Sequence, residues 1–218
     1  MKNEMVAQAV KMTNTQLRQY NSALRKNLRF LISCSTENEK TQQKMDEMEE
    51  VIFTAGDLKS LADSLITGGK KVFGMDAITV TLENSLISHF PAGYKEPGGG
   101  VFINSSNVSF RDSQWLSARL GESDEPSLRG DLRSGSSDFF NGSAAKLRSE
   151  AILPVYFEGR PVAAVAFGSK NPSRFMEGFG GRYLKRMART LALKIGYFTA
   201  AGPETLVTNQ VTSGGAAG

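Results

Sequence analysis

Histidine and cysteine, the residues that most often bind metals or act as nucleophiles, are scarce in this sequence: it holds one of each, His89 and Cys34. One histidine gives no pair for a zinc site, and one cysteine gives neither an intrachain disulfide nor a thiolate cluster. A serine triad would have to recruit His89, and no serine lies in a nucleophile motif. His89 could bind haem iron, but it lies beside an apolar run in SLISHFP, which indicates a structural or surface residue. We therefore expect no enzyme, no metal and no cofactor.

The stretch FGSKNPSRFMEGFGGRYLKRM, residues 167–187, is a candidate for anion binding. Three of its glycines lie near a predicted helix start, where backbone N–H groups bind phosphate, and Lys170 and Arg174 precede them. The flanks favour a structural interpretation, because an apolar strand ends at Phe167 and the Asn-Pro pair that follows is typical of a turn. Lys170 and Arg174 remain the anion-binding candidates. The sequence GGKK at 68–71 lacks the spacing of a phosphate loop and falls within a helical pattern.

The composition is that of a globular chain with a mild basic excess. Its 218 residues, 40% of them hydrophobic, suffice for one core and an appended element. The 26 basic and 22 acidic side chains give a formal charge of +4, which permits contact with nucleic acid without indicating it. The amino-terminal residues lack the apolar run of a signal peptide, and no stretch reaches the length of a membrane span. We expect a cytoplasmic protein without membrane contact.

A heptad repeat runs through the first fifty residues. With Leu17 at position a, most a positions are apolar, whereas half of the d positions are polar. A lone helix with such a face needs a partner, most simply a second copy of the chain; the alternative is an irregular surface helix. Residues 1–52 are therefore predicted to form a coiled-coil stalk for a homodimer. The side chains predicted to dimerise are Val10, Leu17, Leu24, Leu31, Met45 and Ile52.

The stretch 33–36 is an alternative end for this helix. Thr36 and Glu39 have the spacing of a capping box, which would start a new helix. Basic side chains dominate residues 1–31 and acidic ones dominate 37–50, a pattern that suits an antiparallel hairpin or antiparallel pairing, whereas a parallel dimer would stack like charges. We favour one long helix because the heptad register continues across the junction. The direction of pairing stays open.

After the stalk, the pattern changes to that of an α+β domain, predicted over 53–199. Apolar residues at helical spacing end at Gly74, and β-rich segments predict strands over 76–82 and 101–110, with a loop from residue 91 between them. A short helix is predicted over 113–120. The polar excursion that follows, 122–147, includes a short helix and is long enough to act as a lid over a site.

Two apolar strands, 149–157 and 160–167, predict a hairpin with its turn at Glu158-Gly159. A helix with an apolar face over 183–195 closes the domain, and the tail over 200–218 is predicted to be disordered. The fold class is therefore α+β, with a mainly antiparallel sheet flanked by helices and preceded by a long helix.

Three stretches of this domain resemble a bacterial family known as domain of unknown function four-eight-four. They are GDLR at 130–133, RSEAILPV at 148–155 and, most specifically, FGSKNPSRFMEGFGGRYLKRMA at 167–188. VFGMDAITV at 72–80 also matches the family's step from a helix to the first strand. The resemblance implies the fold of GAF domains, which bind small molecules or act as dimerising modules. It implies no reaction.

The GAF-like arrangement implies that the excursion closes over the sheet and encloses a cavity. Phenylalanines there could stack on a base, and an arginine at the rim could hold phosphate through two hydrogen bonds. The alternative is that the phenylalanines complete the core and the arginines are solvated. With Ala151 as further lining, the residues predicted to bind a small anionic or nucleotide-like ligand are Arg129, Leu132, Arg133, Phe139, Phe140, Arg148, Ser149, Phe167, Ser169 and Arg174.

These patterns favour a non-enzymatic sensory or scaffold module that binds a small ligand or a protein partner. The alternative is a nucleic-acid-associated accessory protein that uses its basic first helix. Covalent bilin binding and thiol-based reduction of methionine sulfoxide both need a cysteine in the domain, and Cys34 lies on the predicted stalk. Of the three hypotheses, a sensory or scaffold module, a nucleic-acid-associated protein and an enzyme, the sequence favours the enzyme least.

Overall fold

A computed structural model describes residues 2–90, 107–133, 135–140, 146–176 and 181–201, with the side chains of 2, 3, 5–12 and 201 left aside. The predicted loop from residue 91, most of the predicted strand 101–110 and nearly all of the predicted tail lie outside these residues. The chain divides into two compact units, Met1–Lys44 and Met45–Gly218. Among the described helices, none is both long and apolar enough to cross a membrane.

The first unit is helical. The helix α1 spans Lys2–Thr54 without a break, which confirms the prediction of one long helix. The Thr36 hydroxyl donates to the carbonyl of Ile32 at 3.0 Å, one turn earlier in the same helix, and does not cap a new one. The alternative end at 33–36 is therefore wrong. Leu17, Leu24 and Leu31 are all exposed on this helix.

The second unit is built on a five-stranded sheet with strand order β2-β1-β5-β4-β3. The strands are β1 (Ala77–Glu83), β2 (Val108–Arg111), β3 (Ser127–Arg129), β4 (Ser149–Phe157) and β5 (Arg160–Ser169). The pair β1–β2 is parallel, and the other three pairs are antiparallel. The helices are α2 (Leu58–Phe73), α3 (Ser113–Leu120) and α4 (Gly181–Ala201). The predicted α+β class and its mainly antiparallel sheet are confirmed.

The hairpin of β4 and β5 forms as predicted, because its turn sequence permits a tight connection. Glu158 and Gly159 have φ angles of 51° and 78°, both in the left-handed region that a two-residue primed turn requires. Helix α2 also ends as predicted, since Gly74 adopts the left-handed conformation with φ 60°. The GGKK sequence lies inside α2, where Gly69 lets the helix approach Ile78 closely: a Cβ there would meet the isoleucine Cδ1 at 2.4 Å.

Both faces of the sheet are buried, each by a different layer. The helix face carries the larger core, formed with α2, α4 and the last turns of α1. Met45 and Ile52 belong to this core and are 1% and 0% exposed. These two residues were predicted to pair with a second copy of the chain, and that prediction is wrong for them because they pack within their own unit.

The opposite face, which we call the excursion face, is covered by α3 and by parts of the 122–147 excursion. Its buried residues are Leu116, Phe139, Phe140, Leu147, Ile152, Ala164 and Ala166. The Thr79 hydroxyl donates to the Phe139 carbonyl at 2.8 Å and ties the excursion to the centre of the sheet. The excursion also contributes strand β3, which was not predicted, and the short helix predicted within it is the 3₁₀ turn Asp138–Phe140.

Candidate functional site

A cavity of about 440 Å³ lies against the excursion face, beside strands β3 and β4. Alternation along β4 turns the side chains of Glu150, Ile152 and Pro154 toward this cavity. The excursion and the end of α3 form the remaining wall. The other lining residues are Arg119, Leu120, Glu125, Ser127, Arg129, Gly135, Ser136, Ser137, Asp138 and Phe139.

The most buried charge in this wall is the carboxylate of Glu150, whose side chain is 0% exposed. Its Oε1 accepts hydrogen bonds from Nε of Arg129 at 2.7 Å and from the Nη2 of the same guanidinium. Its Oε2 accepts the backbone N–H of Ser137 at 2.8 Å. A buried carboxylate needs such partners, because an unpaired one costs several kcal/mol. Glu150 therefore fixes both the Arg129 side chain and the excursion backbone at the cavity.

Two hydroxyls at this wall have no hydrogen-bond partner in the described part of the chain. The Oγ atoms of Ser136 and Ser137 are buried, and among the described residues neither one has a hydrogen-bond partner. Most buried polar atoms in folded proteins are satisfied, and an orphaned hydroxyl costs about 1–3 kcal/mol. Both serines line the cavity, but each Oγ atom has almost no accessible surface, so a polar molecule there can supply the missing hydrogen bonds once the serine side chain rotates about χ1.

Charge at the site is closely balanced. The guanidinium of Arg119 stacks on the ring of Trp115, 4.1 Å from its centroid, and donates to Oδ2 of Asp138 from Nε at 3.1 Å and from Nη2 at 2.9 Å. The lining holds two arginines, 119 and 129, and three carboxylates, at 125, 138 and 150, so its formal charge is 2 − 3 = −1. Both arginines already face a carboxylate, and the cavity carries no excess of positive charge for a polyphosphate.

Of the predicted ligand-binding residues, the structure places Arg129 and Phe139 at the cavity. Phe140 is 0% exposed and fills the core of the excursion face, which matches the alternative that it only completes the core. Phe167 and Ala151 lie on the helix face, so their predicted role as cavity lining is wrong. Leu132 is buried but is not part of the cavity wall.

Ser149 and Ser169 hold the chain together at the carboxyl end of β5. The Ser149 hydroxyl donates to the carbonyl of Asn171 at 2.6 Å. The Ser169 hydroxyl donates to Oδ2 of Asp76 at 3.2 Å, and the backbone N–H of Lys170 donates to the same oxygen at 2.8 Å. That backbone hydrogen bond, followed by the Ser169 hydroxyl and the Lys170 charge, holds the pKa of Asp76 below its usual value. Both serines are structural, and neither lines the cavity.

The remaining predicted arginines are also engaged. Arg174 donates to the carbonyls of Phe73 and Gly74 and so caps the end of α2, where backbone oxygens lack helical partners. Arg133 and Arg148 both pair with Asp131, at 3.2 and 3.3 Å. Hydrogen bonds from these two side chains, with Arg133 the stronger influence, hold the pKa of Asp131 below its usual value.

His89 and Cys34, which the sequence holds once each, are not among the residues of the cavity wall. His89 ends a 3₁₀ turn, Asn84–His89, and its buried Nδ1 has no partner among the described residues. Cys34 is exposed on α1. Within the described part of the chain, no group of three or more His, Cys, Asp or Glu side chains has the arrangement of a metal site.

Glu150, Ser136 and Ser137 were not predicted from the sequence. One signal for Glu150 was present, since it is the only charged residue within the otherwise apolar strand SEAILPVYF. A charge in a strand that is buried on both faces needs a partner, and Arg129 is the nearest arginine on the neighbouring strand. The two serines carry no such signal, because serine is common in polar excursions.

Comparisons with known proteins bear on the fold and on the family. No curated protein matches the chain in sequence. Among solved structures, the GAF domain of a phosphoenolpyruvate-protein phosphotransferase from Coxiella burnetii is 12% identical, with 74% of this chain and 96% of that chain covered and a TM-score of 0.53. At this identity the likeness establishes a GAF-like fold and no activity.

Two further solved structures are similar at lower scores. The GAF domain of the Acinetobacter phosphoenolpyruvate-protein phosphotransferase is 12% identical over 73% of this chain and 95% of that chain, with a TM-score of 0.48. The free methionine-R-sulfoxide reductase of Neisseria meningitidis is 16% identical over 73% and 90%, with a TM-score of 0.49. The model of the family described as "Protein of unknown function, DUF484" matches residues 3–200, and the chain therefore belongs to that family.

Proposed function

We propose that this chain is a non-enzymatic GAF-like sensory module whose cavity on the excursion face binds a small polar molecule. The observation that carries the proposal is the pair of buried, unpartnered hydroxyls of Ser136 and Ser137 beside the Glu150–Arg129 ion pair. A volume of about 440 Å³ lies within the range of small-molecule sites. The wall combines an apolar base, Ile152 and Phe139, with a few fixed polar groups, which is the usual composition of such sites.

The charge balance favours a neutral or zwitterionic ligand over a polyanion. Arg129 donates to Glu150 from both Nε and Nη2, so a phosphate would have to compete with a buried carboxylate for the same guanidinium. A molecule with a carbonyl oxygen and no net charge can instead accept from the serine hydroxyls, and it leaves the pairs of Glu125 with Lys185 and of Asp138 with Arg119 intact. The proposed ligand therefore differs from the anionic or nucleotide-like ligand that was predicted from the sequence.

The enzymatic alternative within this fold is a thiol-dependent sulfoxide reductase. Reduction of a sulfoxide by thiols consumes two thiols and yields a sulfide, a disulfide and water. The chain supplies one thiol, Cys34, which lies in the first unit, whereas the cavity lies in the second. This count argues against thiol-dependent sulfoxide reduction by a single chain. In the cytoplasm, where we expect the protein to work, Cys34 stays reduced.

Native mass spectrometry of freshly purified protein tests the ligand proposal directly, because it detects a co-purified small molecule. The bound species is then titrated into Ser137→Ala, with Ser117→Ala on the exposed side of α3 as the matched control. We expect Ser137→Ala to weaken binding about tenfold, since one hydrogen bond to a buried group is worth about 1–2 kcal/mol. Equal affinity of both variants would place the molecule elsewhere and end the proposal for this cavity.

We also propose that α1 pairs with α1 of a second copy through Leu17, Leu24 and Leu31. These side chains repeat every seven residues on one face and are 54%, 49% and 62% exposed, although each gains about 1.5–3 kcal/mol when buried. Sedimentation equilibrium of the full chain tests this. Leu24→Glu should convert the dimer to a monomer, whereas Gln19→Glu, with the same added charge on another face of α1, should not. A wild-type monomer would contradict the proposal.

A further inference from the structure

Helix α1 carries a row of cationic side chains in addition to its exposed leucines. Within the first unit, the side chains of Arg18, Arg25, Lys26 and Arg29 lie close together on one side of the helix, with Asn21 and Ser22 between them. We call the four cationic side chains the basic stripe. All four are exposed. Residues 5–36 hold five basic and no acidic side chains, so the charge of the stripe is not balanced by its own stretch of helix.

The basic stripe and the exposed leucines 17, 24 and 31 lie on different sides of the helix. Successive residues turn by about 100° and rise by 1.5 Å, so Arg18, Arg25 and Arg29 lie within about 40° of one another over about 16 Å. Their mean direction is about 120° away from that of Leu17, Leu24 and Leu31. In heptad terms the basic side chains occupy positions b, c and f, which face outward from a coiled coil. Pairing through the leucines therefore leaves the basic stripe open.

No intramolecular role accounts for the stripe. Among the described residues, no ion pair involves Arg18, Arg25, Lys26 or Arg29. Four like charges within about three turns repel one another, and like-charge pairs at helical spacing are destabilising. An external polyanion would relieve that repulsion. We propose that the basic stripe binds the phosphate backbone of duplex nucleic acid.

The arrangement favours a duplex over a membrane or a single strand. A helix that lies in an anionic membrane buries its apolar face in the lipid, whereas the apolar face of α1 with Leu17, Leu24 and Leu31 is the one proposed to pair with a second copy. Single-strand binding uses aromatic side chains on which bases stack, and none lies among the side chains of the basic stripe and the adjoining Asn21 and Ser22. A row of arginines beside Asn21 and Ser22 can bind phosphate oxygens, and such contacts do not depend on the base sequence.

Salt dependence gives the proposal a magnitude. Each neutralised phosphate contributes about −0.9 to the slope of log K against log salt, so four contacts predict a slope near −3.6. Affinity should then fall about 150-fold between 50 and 200 mM KCl. Fluorescence anisotropy of the full chain with a labelled mixed-sequence DNA duplex of about 25 base pairs measures this. For the double variant Arg18→Gln/Arg25→Gln we expect a slope near −1.8 and a loss of about 12-fold over the same salt range.

The control variant, Lys40→Gln/Lys44→Gln, removes the same two charges from the same helix outside the stripe, and it should keep the wild-type slope. Circular dichroism verifies that both variants stay helical. Equal slopes for the two variants would mean that net charge alone acts, and would overturn the proposal. Absence of duplex binding by wild type, or binding only to phosphatidylglycerol vesicles, would overturn it as well. Ser137→Ala should leave duplex binding unchanged, so this proposal and the cavity proposal fail separately.

Discussion

Removing an unpartnered hydroxyl from the cavity is expected to raise the free energy of unfolding of the ligand-free protein. Substitutions that remove a buried polar atom usually lower it. The Oγ atom of Ser137 is buried and has no hydrogen-bond partner among the described residues. An unsatisfied buried hydroxyl costs about 1–3 kcal/mol, and because Ser137 as a whole is only half-buried we take the lower end, about 1 kcal/mol. Ser137→Ala should recover that amount.

The assay is thermal and urea unfolding of protein freed of any bound molecule. For a chain of this length, 1 kcal/mol corresponds to a rise in Tm of about 2–4 °C. The contrasting control is Ser149→Ala. Its hydroxyl is equally buried but donates to the Asn171 carbonyl at 2.6 Å, so its loss should lower stability by about 1–2 kcal/mol.

Opposite signs for the two serine variants are the expected result. If Ser137→Ala loses as much stability as Ser149→Ala, the Ser137 hydroxyl is satisfied within the free protein. The cavity would then have no unmet hydrogen-bonding capacity, and the reasoning that assigns it a ligand would fail. With ligand bound, the advantage of Ser137→Ala should shrink or reverse, because the ligand stabilises wild type in proportion to its affinity.

Two further substitutions test the packing around the site. Gly168→Ala should cost about 1–3 kcal/mol in urea unfolding, because its Cβ would meet the buried Leu147 side chain at 2.5 Å; unchanged stability would contradict the close packing. Asp76→Asn should lower the free energy of unfolding by about 1–2 kcal/mol at pH 7, since it removes an ionised acceptor of the Lys170 N–H. The pKa of Asp76 is depressed in the folded state, so its contribution is present above about pH 4 and is lost as the pH falls through the folded-state pKa. The difference between wild type and Asp76→Asn should therefore narrow in acid, and a constant difference from pH 7 to pH 3 would contradict this.

Elements with local signals could be predicted from the sequence. The hairpin follows from its Glu158-Gly159 turn between two apolar strands, and the end of α2 follows from Gly74. Strand β3 could not be predicted in this way, since Ser127–Arg129 is too short to show alternation and forms by pairing with β4.

The direction of side chains in β4 and β5 accounts for several of the errors at the site. Ser149, Ala151 and Phe167 were predicted to line the cavity, yet the cavity uses Glu150 and Ile152. Side chains alternate between the faces, so a shift by one residue exchanges the whole set. A strand buried on both faces is apolar throughout, and its sequence then does not show which residues face which layer.

The boundary between the two units has a consequence for any experiment that removes the stalk. Apolar residues in a coiled-coil seam and apolar residues that pack on their own domain recur at the same helical spacing. The sequence therefore could not separate Met45 and Ile52 from the exposed leucines.

Met45, Met48 and Ile52 are 1%, 1% and 0% exposed, and each buried side chain of this size contributes about 1.5–3 kcal/mol. Deleting residues 1–52 would therefore remove about 5–9 kcal/mol, much of the 5–15 kcal/mol that stabilises a typical protein. We expect a chain of residues 45–218 to unfold cooperatively, and a chain of residues 53–218 to show no cooperative transition by circular dichroism. If both chains melt at the same temperature, the last turns of α1 are dispensable for the core and the boundary belongs at residue 52.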